Sequence, residues 1–173
     1  MSARVRITDE NRIPQLLDEL EFLANHQLEI GILSGEQDAQ VLMIAAVHEF
    51  GVRIAVTDAM RAYLHGIGIH LRADTTEINI PERAPLRGGF DAHINEIDST
   101  IERLLNGVME GKTTGRAMLE ALGGVVVSKM QEYLINLSDP PNHPATIERK
   151  GSSNPLVDSG QLGSSITFKI VKK

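Results

Sequence analysis

His48-Glu49-Phe50-Gly51 and Ile78-Asn79-Ile80-Pro81-Glu82-Arg83-Ala84-Pro85-Leu86-Arg87 bracket the stretch that decides the fold. The first segment closes an apolar, helix-like run. The second reads as a short strand, a proline turn and the start of a long helix. Ile78 and Ile80 alternate about Asn79, the period-2 signature of a strand. Pro81 removes a ladder donor and ends that strand. Pro85 suits the first turn of a helix, where a missing N–H costs little. The stretch therefore joins two structural layers.

Upstream of it, residues 3–8 alternate Val5 and Ile7 with Arg4 and Arg6, a short edge strand with its arginines on the wet face. Asp9 or Asn11 caps the next helix, and Pro14 falls in its first turn. Ile13, Leu16, Leu17, Leu20, Leu23 and Ala24 form one apolar stripe that ends near Asn25. Residues 28–33 read as a strand containing Gly31, and Ser34-Gly35-Glu36 as a turn. Residues 37–50 are apolar around much of the helix circumference, which places that helix in the core or in an oligomer contact. Gly51 ends it. A strand at 52–56, a short helix capped by Thr57 or Asp58, a strand at 67–71 and a polar hairpin turn at 72–77 lead back to Ile78.

Downstream, Ile94, Ile97, Ile101, Leu104, Leu105 and Val108 recur at helical spacing, closed by Gly107 and Gly111. A second long helix starts at Thr113-Thr114-Gly115. Its face is Leu119, Leu122, Val126, Met130, Tyr133 and Leu137, widened by Met118, Ala121 and Val125. Gly123-Gly124 inside it costs roughly 1 kcal/mol per glycine relative to alanine, a sign of a close backbone crossing or a bend. Residues 140–154 are rich in Pro, Gly, Ser and Asn and read as a flexible loop or arm, loosely held in the free protein. Residues 164–171 form a last strand. The expected fold is one α+β domain spanning residues 1–173. It is a mixed or antiparallel sheet packed against two long helices, with an extended C-terminal arm and a final strand.

Composition bounds the function. Hydrophobic residues are 42% and charged residues 23% of the chain, an ordinary soluble profile. Aromatics are only 3%, so the core is aliphatic. Cysteine is absent, which excludes a disulfide framework and a thiolate zinc site and fits a reducing cytoplasm. A net charge of −6 argues against general nucleic-acid binding, which needs a cationic surface. No run approaches the ~20 apolar residues of a membrane span, and the first residues lack a signal-peptide core. A soluble protein without a membrane partner is expected.

The candidate chemistry is sparse. Gly107-Val108-Met109-Glu110-Gly111-Lys112-Thr113 is one residue short of a phosphate loop and follows a helix rather than a strand, so a helix-to-helix turn is the reading. The six histidines show no i, i+4 metal pair, although His65 and His70 are close enough to meet across a turn. Asp158-Ser159-Gly160 lacks the nucleophile-elbow pattern and reads as a turn whose Asp bonds its own backbone. No catalytic residue, cofactor or metal is assigned, and an enzyme ranks last. Arg83 and Arg87 lie four apart at a helix start. They are either a docking contact for an acidic partner or ordinary solvated arginines paired with Glu82 or Asp91.

Together, the two opening segments resemble the virion morphogenesis and tail-completion proteins of tailed phages, where a His/Asn-Glu-Phe-Gly step precedes Ile-Pro-Glu-Arg-Pro-Phe-Leu-Arg. Here Ala84 and Pro85 stand in place of the Pro-Phe pair. A further match runs through Arg149-Lys150-Gly151, Pro155-Leu156-Val157-Asp158-Ser159-Gly160-Gln161-Leu162 and Ser165-Ile166. The resemblance implies a structural neck or tail-completion protein, assembled in the host cytoplasm and carried in the virion. It implies self-association as a ring, often hexameric, at the head–tail junction. Its partners would be other neck, connector or tail-tube proteins, with genome DNA passing nearby without specific binding. A head-morphogenesis factor is the alternative. The residues expected to meet partners or neighbouring subunits are Phe50, Arg53, Pro81, Arg83, Pro85, Leu86, Arg87, Leu156 and Leu162.

Overall fold

The computed structural model describes residues 11–33, 35 and 38–173. The strand expected at 3–8, with Asp9, Ser34 and Glu36, lies outside them. Helix α1 (Ile13–Asn25) runs into strand β1 (His26–Gly31). Asn11 Oδ1 accepts the Ile13 N–H at 3.1 Å and Pro14 sits in the first turn, so a side-chain oxygen and a residue without a donor meet the open N-terminus. Asp38 caps α2 (Ala39–Phe50) by accepting from Gln40 N–H, and β2 (Val52–Ala55) follows. Thr57 Oγ1 accepts from Met60 N–H to start α3 (Asp58–Gly66). Strand β3 (Glu77–Ile80) then leads into α4 (Pro85–Ala92) and α5 (Ile94–Met109). The 22-residue α6 (Gly115–Asn136), the short α7 (Pro144–Lys150) and α8 (Gln161–Ser164), and β4 (Thr167–Lys172) complete the chain.

The fold is α+β, with two separate two-stranded antiparallel sheets rather than the one expected sheet. β1 pairs with β4 in the register His26↔Lys172 to Gly31↔Thr167. β2 pairs with β3 from Val52↔Ile80 to Ala55↔Glu77. The β1–β4 sheet lies on α6, and α4, α5 and α1 pack around the same helix. The aliphatic core forms there, from Ile97, Leu122, Val126, Met130, Leu134, Leu156, Leu162 and Ile166. Helix α6 is central because apolar residues cover more than one of its faces. Ala121 is nevertheless exposed, while Leu134, outside the expected face, is 2% exposed.

Other boundaries differ from the sequence reading for local reasons. Residues 67–71 are not a strand: Gly68 takes φ 85°, and Ile69 N–H returns to Leu64 O at 2.8 Å, folding this segment onto the end of α3. His65 and His70 do meet there, Nδ1 to Nδ1 at 2.8 Å. The helix after Pro85 breaks at His93, whose φ and ψ of −115° and 12° separate α4 from α5. Gly107 lies within α5 rather than at its end. Residues 110–114 join α5 to α6, so the 107–113 segment spans the end of one helix and most of that turn, and Lys112 pairs with Glu110. The 140–154 arm contains helix α7 where a loop was expected. In the expected turn at 158–160 the side-chain acceptor is Ser159, whose Oγ accepts from Gln161 N–H at 3.4 Å, and just upstream Asn154 Oδ1 accepts from Leu156 and Val157 N–H.

The glycine pair in α6 has a different purpose from a backbone crossing. A Cβ on Gly123 would overlap the ring of Phe168 from β4, whereas one on Gly124 would meet nothing within 4 Å. The close backbone approach is made instead by Gly89 of α4, where a Cβ would sit 3.2 Å from Met130 Cα. Gly123→Ala should therefore destabilise the protein by about 1–3 kcal/mol through overpacking. Gly124→Ala, on an exposed helical position, should stabilise it by up to ~1 kcal/mol. Urea denaturation of the two variants distinguishes them, and equal midpoints would show that Phe168 does not depend on the Gly123 gap.

Candidate functional site

The two segments that opened the sequence reading meet in space, and the link is made by backbone groups and three charged side chains. The last turn of α2 ends at Gly51, with φ 67°. A Cβ there would lie 2.7 Å from Glu82 N, so the strand-to-helix turn at 81–84 is pressed directly against it. His48 O accepts both Arg83 N–H at 2.9 Å and Ala84 N–H at 3.1 Å. Ala84 takes a left-handed φ of 44°, strained for a residue with a Cβ. Proline, which holds φ near −65°, does not fit that backbone.

Glu49 is the hub. It is 6% exposed, the acid most enclosed by the fold among the described residues. Its Oε2 accepts Leu86 N–H at 2.9 Å and its Oε1 accepts Arg87 N–H at 3.1 Å. These are first-turn donors of α4, which have no partner inside the helix. Neither Ala84 nor Pro85 offers a capping side chain, so the cap comes from another helix, and the negative charge sits at the positive end of the helix dipole. Arg87 completes the hub: its Nε donates to Glu49 Oε1 at 2.9 Å, and its Nη2 donates to Glu49 O at 2.7 Å and Glu82 Oε1 at 2.9 Å. These carboxylates raise the Arg87 pKa, and its guanidinium lies 5.3 Å from the Phe50 ring centroid.

Arg83 points the other way. It is 6% exposed and makes no ion pair among the described residues, so it is not the solvated arginine paired with Glu82 or Asp91. Its Nε donates to Pro140 O at 3.1 Å, and its Nη2 donates to Pro141 O at 3.4 Å and Asn142 Oδ1 at 3.2 Å. Its Nη1 approaches His48 Nδ1 at 3.3 Å. A guanidinium only donates, so His48 Nδ1 is the acceptor and the imidazole is neutral. Burial, then the charges of Arg83 and Lys150, lower the His48 pKa to about 4.

Beside this clasp lies a cleft of about 770 Å³. Val41, Ile44 and His48 of α2 form one wall, β3 and Pro81 a second, and the arm from Pro141 to Leu162 a third. Arg83, Arg149 and Lys150 bring positive charge to it, and Asp158 is the acid in the lining. Lys150 Nζ donates to the carbonyls of Asn154 and Pro155, and burial lowers its pKa against the opposing pull of Asp158. Among the described residues, no group of three His, Asp or Glu is arranged to hold a metal, and no helix is long and apolar enough to cross a membrane.

The nine expected contact residues divide accordingly. Phe50 and Arg53 are exposed, Arg53 lying 3.8 Å from Glu77 on the β2–β3 hairpin. Arg87 is exposed although engaged, and Pro81 is half-buried at the cleft. Leu86 packs on the core. Arg83, Pro85, Leu156 and Leu162 are buried within the single chain, with Arg83, Leu156 and Leu162 in the lining of the cleft. Sequence reasoning passed over Glu49, His48 and Lys150, although Glu49 sits within the quoted motif. The available signal was an acid in an otherwise apolar helix, ahead of a helix start that lacks its own cap. Comparison of the chain with family models, curated proteins and solved structures found no match.

Two outcomes follow. Glu49→Ala strips α4 of its cap and should cost about 2–3 kcal/mol, whereas Glu82→Ala, at a half-exposed pair, should stay within ~0.5 kcal/mol of wild type in the same urea titration. The unfolded chain takes up the His48 proton below about 6.5 while the folded chain excludes it until about 4. Stability therefore falls as pH drops through that window. His48→Gln, which still accepts from Arg83, should flatten that part of the stability–pH profile, and an unchanged slope would place the titration elsewhere.

Proposed function

We propose that this chain is a structural virion protein of a tailed phage, a neck or tail-completion protein that assembles as a ring at the head–tail junction. The observation that carries the reading is convergence. Three segments that separately resemble that family come together at one clasp and one cleft. His48 and Arg83 are 35 residues apart in sequence, and Arg83 and Pro140 are 57 apart. Leu156 and Leu162, from the last matching segment, line the same cleft. Residues that join across such separations are the ones a shared fold would hold in common.

The surface is suited to assembly. Helix α2 is apolar on all sides, yet Met43 is 60% and Phe50 68% exposed. On α1, Ile13 and Leu17 lie one helical turn apart and are also exposed. Apolar helix faces left open in a monomer fit contacts with neighbouring subunits. In this reading the protein has no catalytic role, its partners are copies of itself and adjoining neck or tail-tube proteins, and DNA passes through the ring without sequence-specific contacts.

Electron microscopy of the purified protein should show rings with a central hole. Met43→Asp with Phe50→Asp should preserve the circular-dichroism spectrum and thermal melt while dispersing the rings, a loss of about 2 kcal/mol or more per contact for central apolar anchors. A wild-type protein that sediments as a monomer at every concentration, and intact particles assembled from the double variant, would each overturn the reading.

A further inference from the structure

The cleft beside the clasp has features that the ring reading does not use. Three consecutive residues of β3, Ile78, Asn79 and Ile80, line it. A cavity facing one side of a sheet sees alternate residues, whereas one facing an edge sees them all. The hydrogen bonds agree. Val56 N–H donates to Thr76 O at 2.9 Å, continuing the β2–β3 register. Alternation along an antiparallel ladder then makes Ile54↔Ile78 and Val52↔Ile80 the bonded pairs. The N–H and C=O of Asn79 consequently point away from β2, to the open edge. The sheet has only two strands, so nothing in it occupies that side of β3.

The charged part of the cleft's lining is mostly cationic. Arg149 is exposed on α7 and makes no ion pair among the described residues. Among the described residues, the acceptors within hydrogen-bond distance of Lys150 are the carbonyls of Asn154 and Pro155. With Arg83, three positive groups face one lining acid, Asp158, in a chain whose net charge is −6. Val41, Ile44, Pro81, Leu156 and Leu162 supply the apolar part of the lining.

We infer that this cleft receives an extended acidic segment of a partner protein, which adds as a strand to the open edge of β3 and sets a carboxylate against Arg149 and Lys150. Main-chain hydrogen bonds to Asn79 give it direction, apolar side chains meet the apolar lining, and the carboxylate selects it over neutral sequences. The apolar lining and the strand edge favour a peptide over a nucleic-acid backbone. The inference rests on the reading of this protein as an assembly component and names the chemistry of one partner contact.

The probe is the blocked peptide acetyl-Val-Asp-Val-Glu-Val-amide, with the Asn/Gln version as its neutral counterpart, titrated into 15N-labelled protein. The acidic peptide should shift the amides of residues 78–81 and 149–150, slow hydrogen exchange at Asn79, and bind about tenfold tighter than the neutral one. Asn79→Pro deletes the outward N–H without touching a ladder bond, and should abolish binding, whereas Asn79→Ser should retain it. Arg149→Glu, on an exposed position, should reduce affinity by about tenfold and decides the question if Asn79→Pro does not fold. Equal binding of both peptides, shifts confined to other surfaces, or binding of a single-stranded oligonucleotide in place of the peptide would overturn the inference. Rings without peptide binding sink the cleft alone. Peptide binding by a protein that never forms rings sinks the neck assignment alone.

Discussion

A single buried carboxylate organises this molecule. Glu49 stands at the end of α2, where an apolar helix would ordinarily offer an apolar residue, and reaches the first turn of α4. It supplies the cap that the Ala84-Pro85 start does not possess. An ionised acid in such a place survives only with full compensation, and it has three sources here: two backbone N–H groups, the Arg87 guanidinium and the helix dipole. The arrangement ties the end of α2 to the start of α4. It also determines where Arg83, a few residues earlier, points.

Arg83 carries the constraint to the C-terminal arm. The carbonyls of Pro140 and Pro141 and the amide oxygen of Asn142 are spread along an extended segment, and one planar fork reaches all three. A lysine would bring a point charge with the same sign but not the spread of donors. Burial lowers the Arg83 pKa, yet the group stays charged, and the neutral His48 ring beside it adds an acceptor in place of a competing cation. The two arginines of the motif thus divide the work. One fastens helix to helix, the other fastens helix to arm, and the cleft is the space left between the parts they join.

Much of the fold was legible because its signals are local. Thr57 and Thr114 cap the helices expected of them, Pro85 opens α4, and Phe168 and Ile170 flank the exposed Lys169 in β4, although that strand starts at Thr167 and leaves Ile166 ahead of it. What failed was information that resides in partners. Residues 67–71 carry strand-like residues but have no strand to pair with, and the Gly68 turn returns them to α3. Gly88-Gly89 was passed over and Gly123-Gly124 misread, because sequence marks a close approach without naming what approaches. Arg83 and Arg87 share a helix start and a charge, so spacing alone put them on one side. Burial separates them: one is enclosed by the arm, the other by solvent and Glu82. Glu49 was overlooked for the same reason, since its importance depends on a helix 37 residues away in sequence.

Net charge illustrates the same limit at the level of the whole surface. At −6 the chain repels polyanions on average, as the proposed neck role would require. Averages do not govern a cleft. Field lines inside a low-dielectric wall follow the nearest groups, and around this cleft those are Arg83, Arg149 and Lys150 against Asp158. Salt screens the surface beyond about 10 Å, which weakens the global repulsion before it weakens contacts made inside the cleft. An acidic exterior and a cationic cleft therefore operate over different ranges. The first opposes indiscriminate contact with nucleic acid, and in the proposed binding mode the second would act on a carboxylate brought to the edge of β3. That separation of ranges is what a component needs if it must let one polyanion pass while holding an acidic protein segment in register.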